Sequence, residues 1–339
     1  MVSQITAQSH SRSPALDKRT LAVFLVRYGM FIALALWMIG MSLSSEYFLT
    51  MTNLLNVSRQ AAPIIIIGVG MTFVMATAGI DLSVGSTVAL VSVLTSSWLV
   101  LGIPAVVVIP LIILVGAIIG AMNGLVITLG VPAFVVTLAA LTSIRGVAFV
   151  YSDGYAVPIA DPVFVWIGRG DVLGVNTPFL IAIIVAALGW FLLNHTRFGL
   201  YALATGGREE AARVMGLSIN RIKVMVYALT GALAGLAGIV VSARLSNGSP
   251  NAGMMLELEV IAATVLGGTS LFGGRATIMG TVAGALLINF VRNGLNLLGV
   301  NPYWVQVATG IILVAAVLMN TVLNRKVESW ARAAPEVKS

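Results

Sequence analysis

A chain of 339 residues that is 59% hydrophobic and only 9% charged, with a mean hydropathy of +1.02, cannot hide its apolar side chains inside one water-soluble globule. Its solvent is a lipid bilayer, and the all-round apolar runs IIIIGVG (64–70) and VVVIPLIILVG (106–116) exclude a β-barrel, whose strands alternate apolar and polar residues. The absence of cysteine excludes disulfides and cysteine-held metals, His10 and His195 make no metal site, and the net charge of +7 flanks apolar spans without the interleaved aromatics of a nucleic-acid surface.

Apolar windows punctuated by Gly, Pro and charge predict an all-α, polytopic membrane protein with ten spans, near 22–44, 60–79, 83–102, 104–128, 132–151, 177–194, 223–243, 256–270, 276–297 and 303–321. A polar tail, residues 1–20, carries Arg12, Lys18 and Arg19, and the first span, too long for a signal-peptide core, reads as a retained anchor. Between the second and third spans GIDLSVGS (79–86) sets Asp81 and Ser83, predicted either to cap the next helix or to line a permeation route at a helix break. In the fourth span GAIIGAMNG aligns Gly116 and Gly120 on one face and adds Asn123, an amide that seeks a partner across a helix interface or a place on the route.

The polar stretch 152–176 is acidic or neutral, as a translocated loop is, whereas the loop 195–223 is the largest charged segment of an otherwise charge-poor chain. Beyond it, Gly231, Gly235 and Gly238 mark a closely packed helix. Glu257 and Glu259 open the next span, and with Asp81, Arg145 and Arg292 they are the ionisable groups at membrane depth, a thin set for an ion-coupled carrier. GGTSLFGGR (267–275) has the glycine spacing of a phosphate-binding loop at Gly268 and Gly273, but Gly274 stands where such a loop needs Lys and Arg275 where it needs Ser or Thr, so it reads as a tight interhelical turn. Asn289 lies in the ninth span, and a tail of residues 323–339 holds Arg325, Lys326, Arg332 and Lys338. Ten spans put both tails and the loop 195–223 on one side, which by the positive-inside rule is the cytoplasm. The permease region is thus 21–322. NGLVITLGVPAFV from Asn123 and NGLNLLGVNPYWV from Asn293 echo one another on opposite faces, the mark of an inverted repeat.

Within 206–223, Glu210, Ala211, Ala212 and Gly216 form an E-A-A segment followed by glycine, flanked by Arg208, Glu209 and Arg213. The segment resembles the EAA-type coupling loop of bacterial ABC importer permeases. More closely, GMTFVMATAGIDLSVGS (70–86), HTRFGLYALATGGREEAARVMGLSINRIK (195–223) and ELEVIAATVLGGTSLFGGRATIMGTVAGALL (257–287) are similar to the ribose-type sugar permeases, a likeness covering about 45–320. The downstream sequence departs from the fuller EAA consensus of other importers. The resemblance implies a bacterial inner-membrane transport subunit, not an enzyme, with no cofactor of its own. ATP and magnesium belong to an ABC ATP-binding subunit docked on Arg208–Arg213 and Gly216; a periplasmic or extracellular binding protein delivers the sugar; a second permease copy and membrane lipid complete the surroundings. Asp81, Ser83, Asn123 and Asn289 are the expected lining of the path. Rival readings are a stand-alone secondary carrier and a scaffolding subunit.

Overall fold

The computed structural model describes residues 18–301, 303–308, 310, 311, 314 and 318, with side chains from residue 29 onward. The tail residues Arg12, Arg325, Lys326, Arg332 and Lys338, and the end of the tenth expected span, lie outside the described residues. The main helices are α1 (Lys18–Ser44), α2 (Met51–Ala76), α3 (Val84–Val100), α4 (Ala105–Thr128), α5 (Ala133–Tyr151), α7 (Thr177–His195), α10 (Ile219–Leu245), α11 (Leu256–Leu266) and α12 (Ile278–Leu297), and helix resumes at Tyr303. Short α6 (Pro162–Arg169) lies in the loop after α5, and α8 (Arg197–Gly207) and α9 (Glu209–Val214) occupy the charged loop after α7. Two-residue strands complete the chain: β1 (Val157–Pro158) pairs antiparallel with β4 (Asn247–Gly248), and β2 (Asp171–Val172) with β3 (Val175–Asn176).

The chain is a multi-pass helical membrane protein. Among the described residues six helices are long and apolar enough to cross a bilayer, namely α2, α4, α5, α7, α10 and α12. Two departures from the sequence reading matter most. The expected helix 256–270 stops at Leu266, because Gly267 and Gly268 begin a turn with Gly268 at φ +91°. Helix α2 starts at Met51, where Thr50 caps it by accepting from the Asn53 amide, so α2 is longer than the window 60–79.

Helix α2 is the central post, with Ala61 through Ala76 buried. It packs on α7, α10, α11 and α12. Around it the contacts repeat in two halves: α10 lies along α4 and α3, while α2 lies along α12 and α11. In both halves the helix before the last turn ends in Leu-Gly-Val, with Gly130 (φ +96°) and Gly299 (φ +72°) in the left-handed region.

The tightest seam is antiparallel α4 against α10. A Cβ on Gly116 would collide with the carbonyl of Gly231, one on Gly120 with the carbonyl of Tyr227, and one on Gly124 with the Val224 backbone. Spacing at i, i+4 and i+8 lines these glycines on one stripe, and backbone contact replaces side-chain interdigitation. Gly120→Val should therefore force the seam open and lower the stability of detergent-solubilised protein by about 1–3 kcal/mol or more; a fluorescence-detected melting curve superimposable on wild type would refute this account of the seam.

Candidate functional site

Two spans are broken, and each break must satisfy backbone polar groups that a continuous helix would have paired internally. The first lies between α2 and α3. There Asp81 is 1% exposed, and its Oδ1 accepts from the Ser83 amide at 2.9 Å and from Ser83 Oγ at 2.6 Å. Asn123 of α4 donates to the same Ser83 Oγ at 2.9 Å. The Ile80 carbonyl accepts from the Tyr227 hydroxyl of α10 at 3.2 Å and from Thr137 of α5 at 3.3 Å. Three helices thus hold one irregular turn.

The capping role expected for Asp81 needs correction. Ser83 is the N-cap of α3, it makes no side-chain capping bond, and Asp81 closes a turn just before the helix. Asn123 finds the partner across a helix interface that its place in an apolar span predicts, the Ser83 hydroxyl at the N-cap of α3. Asn289 stands apart from this triad and donates to the Ala285 carbonyl of its own helix at 2.8 Å. All four residues, Asp81, Ser83, Asn123 and Asn289, are buried within the single chain.

The second break runs from Ser246 to Met255, both at positive φ, between α10 and α11. Arg145 of α5 donates to the carbonyls of Pro250 at 2.8 Å and Ala252 at 2.7 Å, and its second amino group lies 3.5 Å from that of Gly253. Ser92 of α3 exchanges hydrogen bonds with Ser249, donating to its carbonyl at 3.1 Å and accepting from its amide at 3.2 Å. Nothing in the sequence signals the Arg145 clamp, since its acceptors are main-chain atoms. The Arg292–Glu259 ion pair between α12 and α11 was legible only as two charges in apolar surroundings.

The E-A-A segment folds as α9. Arg208 is its N-cap in extended conformation, Glu209 and Glu210 stand in its first turn where the helix dipole favours acids, and Arg213 in its last turn. Glu209 pairs with Arg213 at 3.1 Å and with Lys223 of α10 at 2.9 Å, pinning the short helix to a span. Ala212 is buried against the body, whereas Arg208, Glu210, Ala211 and Arg213 are exposed. Gly216 turns the chain at φ +81°, a conformation costly for any residue with a Cβ, although open space surrounds it. Val214 and Met215 are 89% and 70% exposed, while Leu217 turns inward onto the core.

This segment touches the first break directly. A Cβ on Gly206, at the end of α8, would collide with the carbonyl of Ala76, the last residue of α2. The glycine-rich turn after α11 joins the same junction: Gly274 donates its amide to the Ala76 carbonyl at 3.1 Å, and Gly273 packs on the backbone of Gly206. GGTSLFGGR is thus a packed interhelical turn, closed by the Ser270 amide donating to the Arg275 carbonyl at 2.9 Å.

The family model described as "Branched-chain amino acid transport system / permease component" matches residues 53–317. The chain belongs to this permease family. It is 42% identical over 309 residues to the ribose import permease protein RbsC of Haemophilus influenzae, covering 89% of this chain and 95% of that protein. RbsC of Escherichia coli is 44% identical over 295 residues, covering 85% and 92%, and the D-allose transport system permease protein AlsC of the same species is 36% identical over 319 residues, covering 93% and 98%. No solved structure matches the chain. The fold and the relatives make this member of the permease family a ribose-type transport component, and the three segments that carried the resemblance lie at the first break, the charged loop of α8 and α9, and α11 with its turn.

The Glu209 anchor has a defined pH dependence. Its hydrogen bond to Lys223 is the largest cause of a carboxylate pKa held below the ordinary 4.5, with the Arg213 contact adding to it and partial burial opposing. Because the folded value is the lower one, the anchor's contribution is complete above about pH 4.5 and is lost as pH falls through the folded value. Amide exchange across residues 209–216, corrected for the intrinsic rate, should therefore show lower protection at acid pH than at neutrality in wild type. In Glu209→Gln the protection should be low and flat over that range, and an unchanged profile would remove the anchor.

Proposed function

We propose that the chain is the route-forming subunit of an ATP-driven sugar importer in a bacterial inner membrane, working as one of two permease copies. A separate ABC subunit binds and hydrolyses ATP with magnesium, and an extracytoplasmic binding protein delivers the solute. Both tails and the α8–α9 segment face the cytoplasm in this reading, as the distribution of basic residues requires. The carrying observation is α9 itself: an exposed patch of Val214 and Met215 set among Arg208, Glu210 and Arg213, pinned through Glu209 and preceded by α8, whose Gly206 abuts the end of α2. Apolar side chains ringed by charge suit a groove on a soluble partner.

The linkage supports coupling between that partner and the span interior. A push on α9 reaches Gly206, the Ala76 carbonyl, and then the turn held by Asp81, Ser83 and Asn123. These three form the wall of the route in this reading, with Asn289 in the other half. Names of relatives that import ribose, allose and galactose support a monosaccharide as the solute.

Reconstitution tests the assignment. Proteoliposomes holding this chain alone should take up no D-ribose under an imposed proton or sodium gradient, whereas addition of the ATPase subunit, the binding protein and ATP should start uptake. Gradient-driven uptake by the chain alone would establish a secondary carrier in its place. The double variant Glu210→Ala/Gly216→Val should insert normally and lose about tenfold or more of ATP-driven uptake, the equivalent of about 1.4 kcal/mol of docking. Full uptake by that variant would remove α9 as the coupling element.

A further inference from the structure

Among the described residues four buried side-chain polar atoms have no hydrogen-bond partner, Arg59 Nε, Thr177 Oγ1, Arg244 Nε and Glu257 Oε2, and the first three gather in one place. Buried polar atoms of folded proteins are nearly always paired, so such a gathering needs a reason. The place is a closed ring of four elements. Asn176, at the start of α7, donates to the Leu55 carbonyl at 3.1 Å and to Ser58 Oγ at 2.7 Å, which ties α7 to α2 one residue before Arg59. The Thr177 amide donates to the Gly170 carbonyl at 3.0 Å, joining α7 to the end of α6. Gly168 of α6 lies against the backbone of Ala243 and Arg244. The ring closes between α10 and α2, which pack together and where the charge of Arg59 is near enough to act on Arg244.

Two half-buried guanidiniums thus stand together, and neither has an ion pair or a side-chain hydrogen bond among the described residues. Water can satisfy their donors, but it does not neutralise two like charges held side by side. A third, exposed arginine, Arg169, follows Gly168 and donates to Ser246 Oγ at 2.9 Å just past Arg244. The acids flanking α6 are engaged locally, Asp161 by the amides of Val163 and Phe164 and Asp171 by that of Gly174. What the ring calls for is an anion. Its level in the membrane indicates which one. Arg244 lies about 32 Å along α10 from Lys223 at the helical rise, roughly the hydrocarbon thickness of a bilayer, and so stands at the boundary opposite the charged loop. Beside it α6 packs Phe164 and Ile167 onto α10 while Val163, Val165 and Trp166 stay exposed. An apolar face carrying Trp at this level is that of a segment resting on the lipid interface.

We propose that Arg59 and Arg244, flanked by Arg169, bind the phosphate of an acidic phospholipid in the leaflet opposite the charged loop. Guanidinium forks match phosphate oxygens, and the negative headgroup offsets the repulsion between the two side chains. A free phosphate ion offers the same chemistry; the exposed apolar face of α6, which acyl chains cover better than water, favours the lipid. The bound headgroup then fastens the first part of α2 to the end of α10. The proposal rests on the importer reading only for naming that leaflet the outer one.

The full chain, purified in a neutral detergent and freed of native lipid, supplies the readout. Phosphatidylglycerol should raise its melting midpoint by about 3 °C or more, and zwitterionic phosphatidylcholine by less than about 1 °C. In Arg59→Gln/Arg244→Gln the phosphatidylglycerol shift should disappear, and without lipid this variant should melt no lower than wild type, because a repulsion has been removed. Arg59→Lys/Arg244→Lys keeps both charges but loses the planar fork, and should retain about half of the shift. Equal shifts from the two lipids, a phosphatidylglycerol shift as large in the Gln variant as in wild type, or none in the Lys variant would each overturn the site. A wild-type shift reproduced in full by inorganic phosphate alone would overturn the lipid as its occupant. If no lipid shifts the wild type and the Gln variant instead loses binding-protein-stimulated ATP hydrolysis in the complete importer, the arginines serve a carboxylate of that protein and the lipid site falls. The melting curves involve no transport, so a failed importer reading leaves them standing and the two failures are distinguishable.

Discussion

A bilayer offers no water to a bare carbonyl or amide, and that single constraint explains most of the polar chemistry in this protein. Continuous helices meet it without help. The two broken spans cannot, and polar side chains from the neighbouring helices are spent on them. Tyr227 and Thr137 serve Ile80, Asn123 and Ser83 serve the turn at Asp81, and Arg145 serves Pro250 and Ala252. The magnitudes favour the arrangement. A guanidinium at the centre of a spanning helix costs about 2.5–3.5 kcal/mol on insertion scales, while each unpaired amide-type group in apolar surroundings costs roughly 2–7 kcal/mol. One arginine that satisfies two carbonyls and approaches a third more than offsets its own burial.

The breaks also decide the packing around them. Irregular backbone inside a bundle needs neighbours close enough to reach it, and glycine is what lets helices approach so nearly. On the α4–α10 seam, Gly116, Gly120 and Gly231 bring Asn123 and Tyr227 to the first break. At the end of α2, Gly206, Gly273 and Gly274 allow three chain segments to meet at the Ala76 carbonyl. Gly85 leaves the space that the Glu257 carboxylate fills. A methyl group at any of these positions would collide with the neighbouring atoms and force the packed segments apart.

How much of this was legible follows from the same physics. Long apolar runs report lipid exposure or deep burial directly, so α4, α5, α7 and α10 stand near the windows read from hydropathy. The end of α11 was misread because VLGGTSLF stays apolar through the turn, and hydropathy does not distinguish a helix from a glycine-rich turn packed in protein. The charged segment that forms α9 and its flanks was visible because charge is rare here and six charged residues crowd 208–223. The Arg145 clamp was not, since carbonyls belong to every residue and carry no signature. Asp81 was found but given the wrong bond: a cap and a turn before a cap share one sequence pattern and differ only in which amide the carboxylate meets.

The proposed placement of the work of transport in a separate subunit makes a structural demand on this chain. A subunit that must be driven from outside needs a rigid path from its docking helix to its interior, and a spring along that path would waste the stroke. Helix α9 is tied to α10 by the Glu209–Lys223 ion pair, the adjoining α8 meets α2 backbone to backbone at Gly206 and Ala76, and from there only a short turn leads to Asp81. No long side chain intervenes between Gly206 and the turn, so little rotamer freedom is available to absorb displacement. Rigid contact at the α8–α2 junction and irregular, side-chain-held backbone beyond it are the two properties that the proposed driven gate requires together. In this fold the same residues at the end of α2 supply the junction between them.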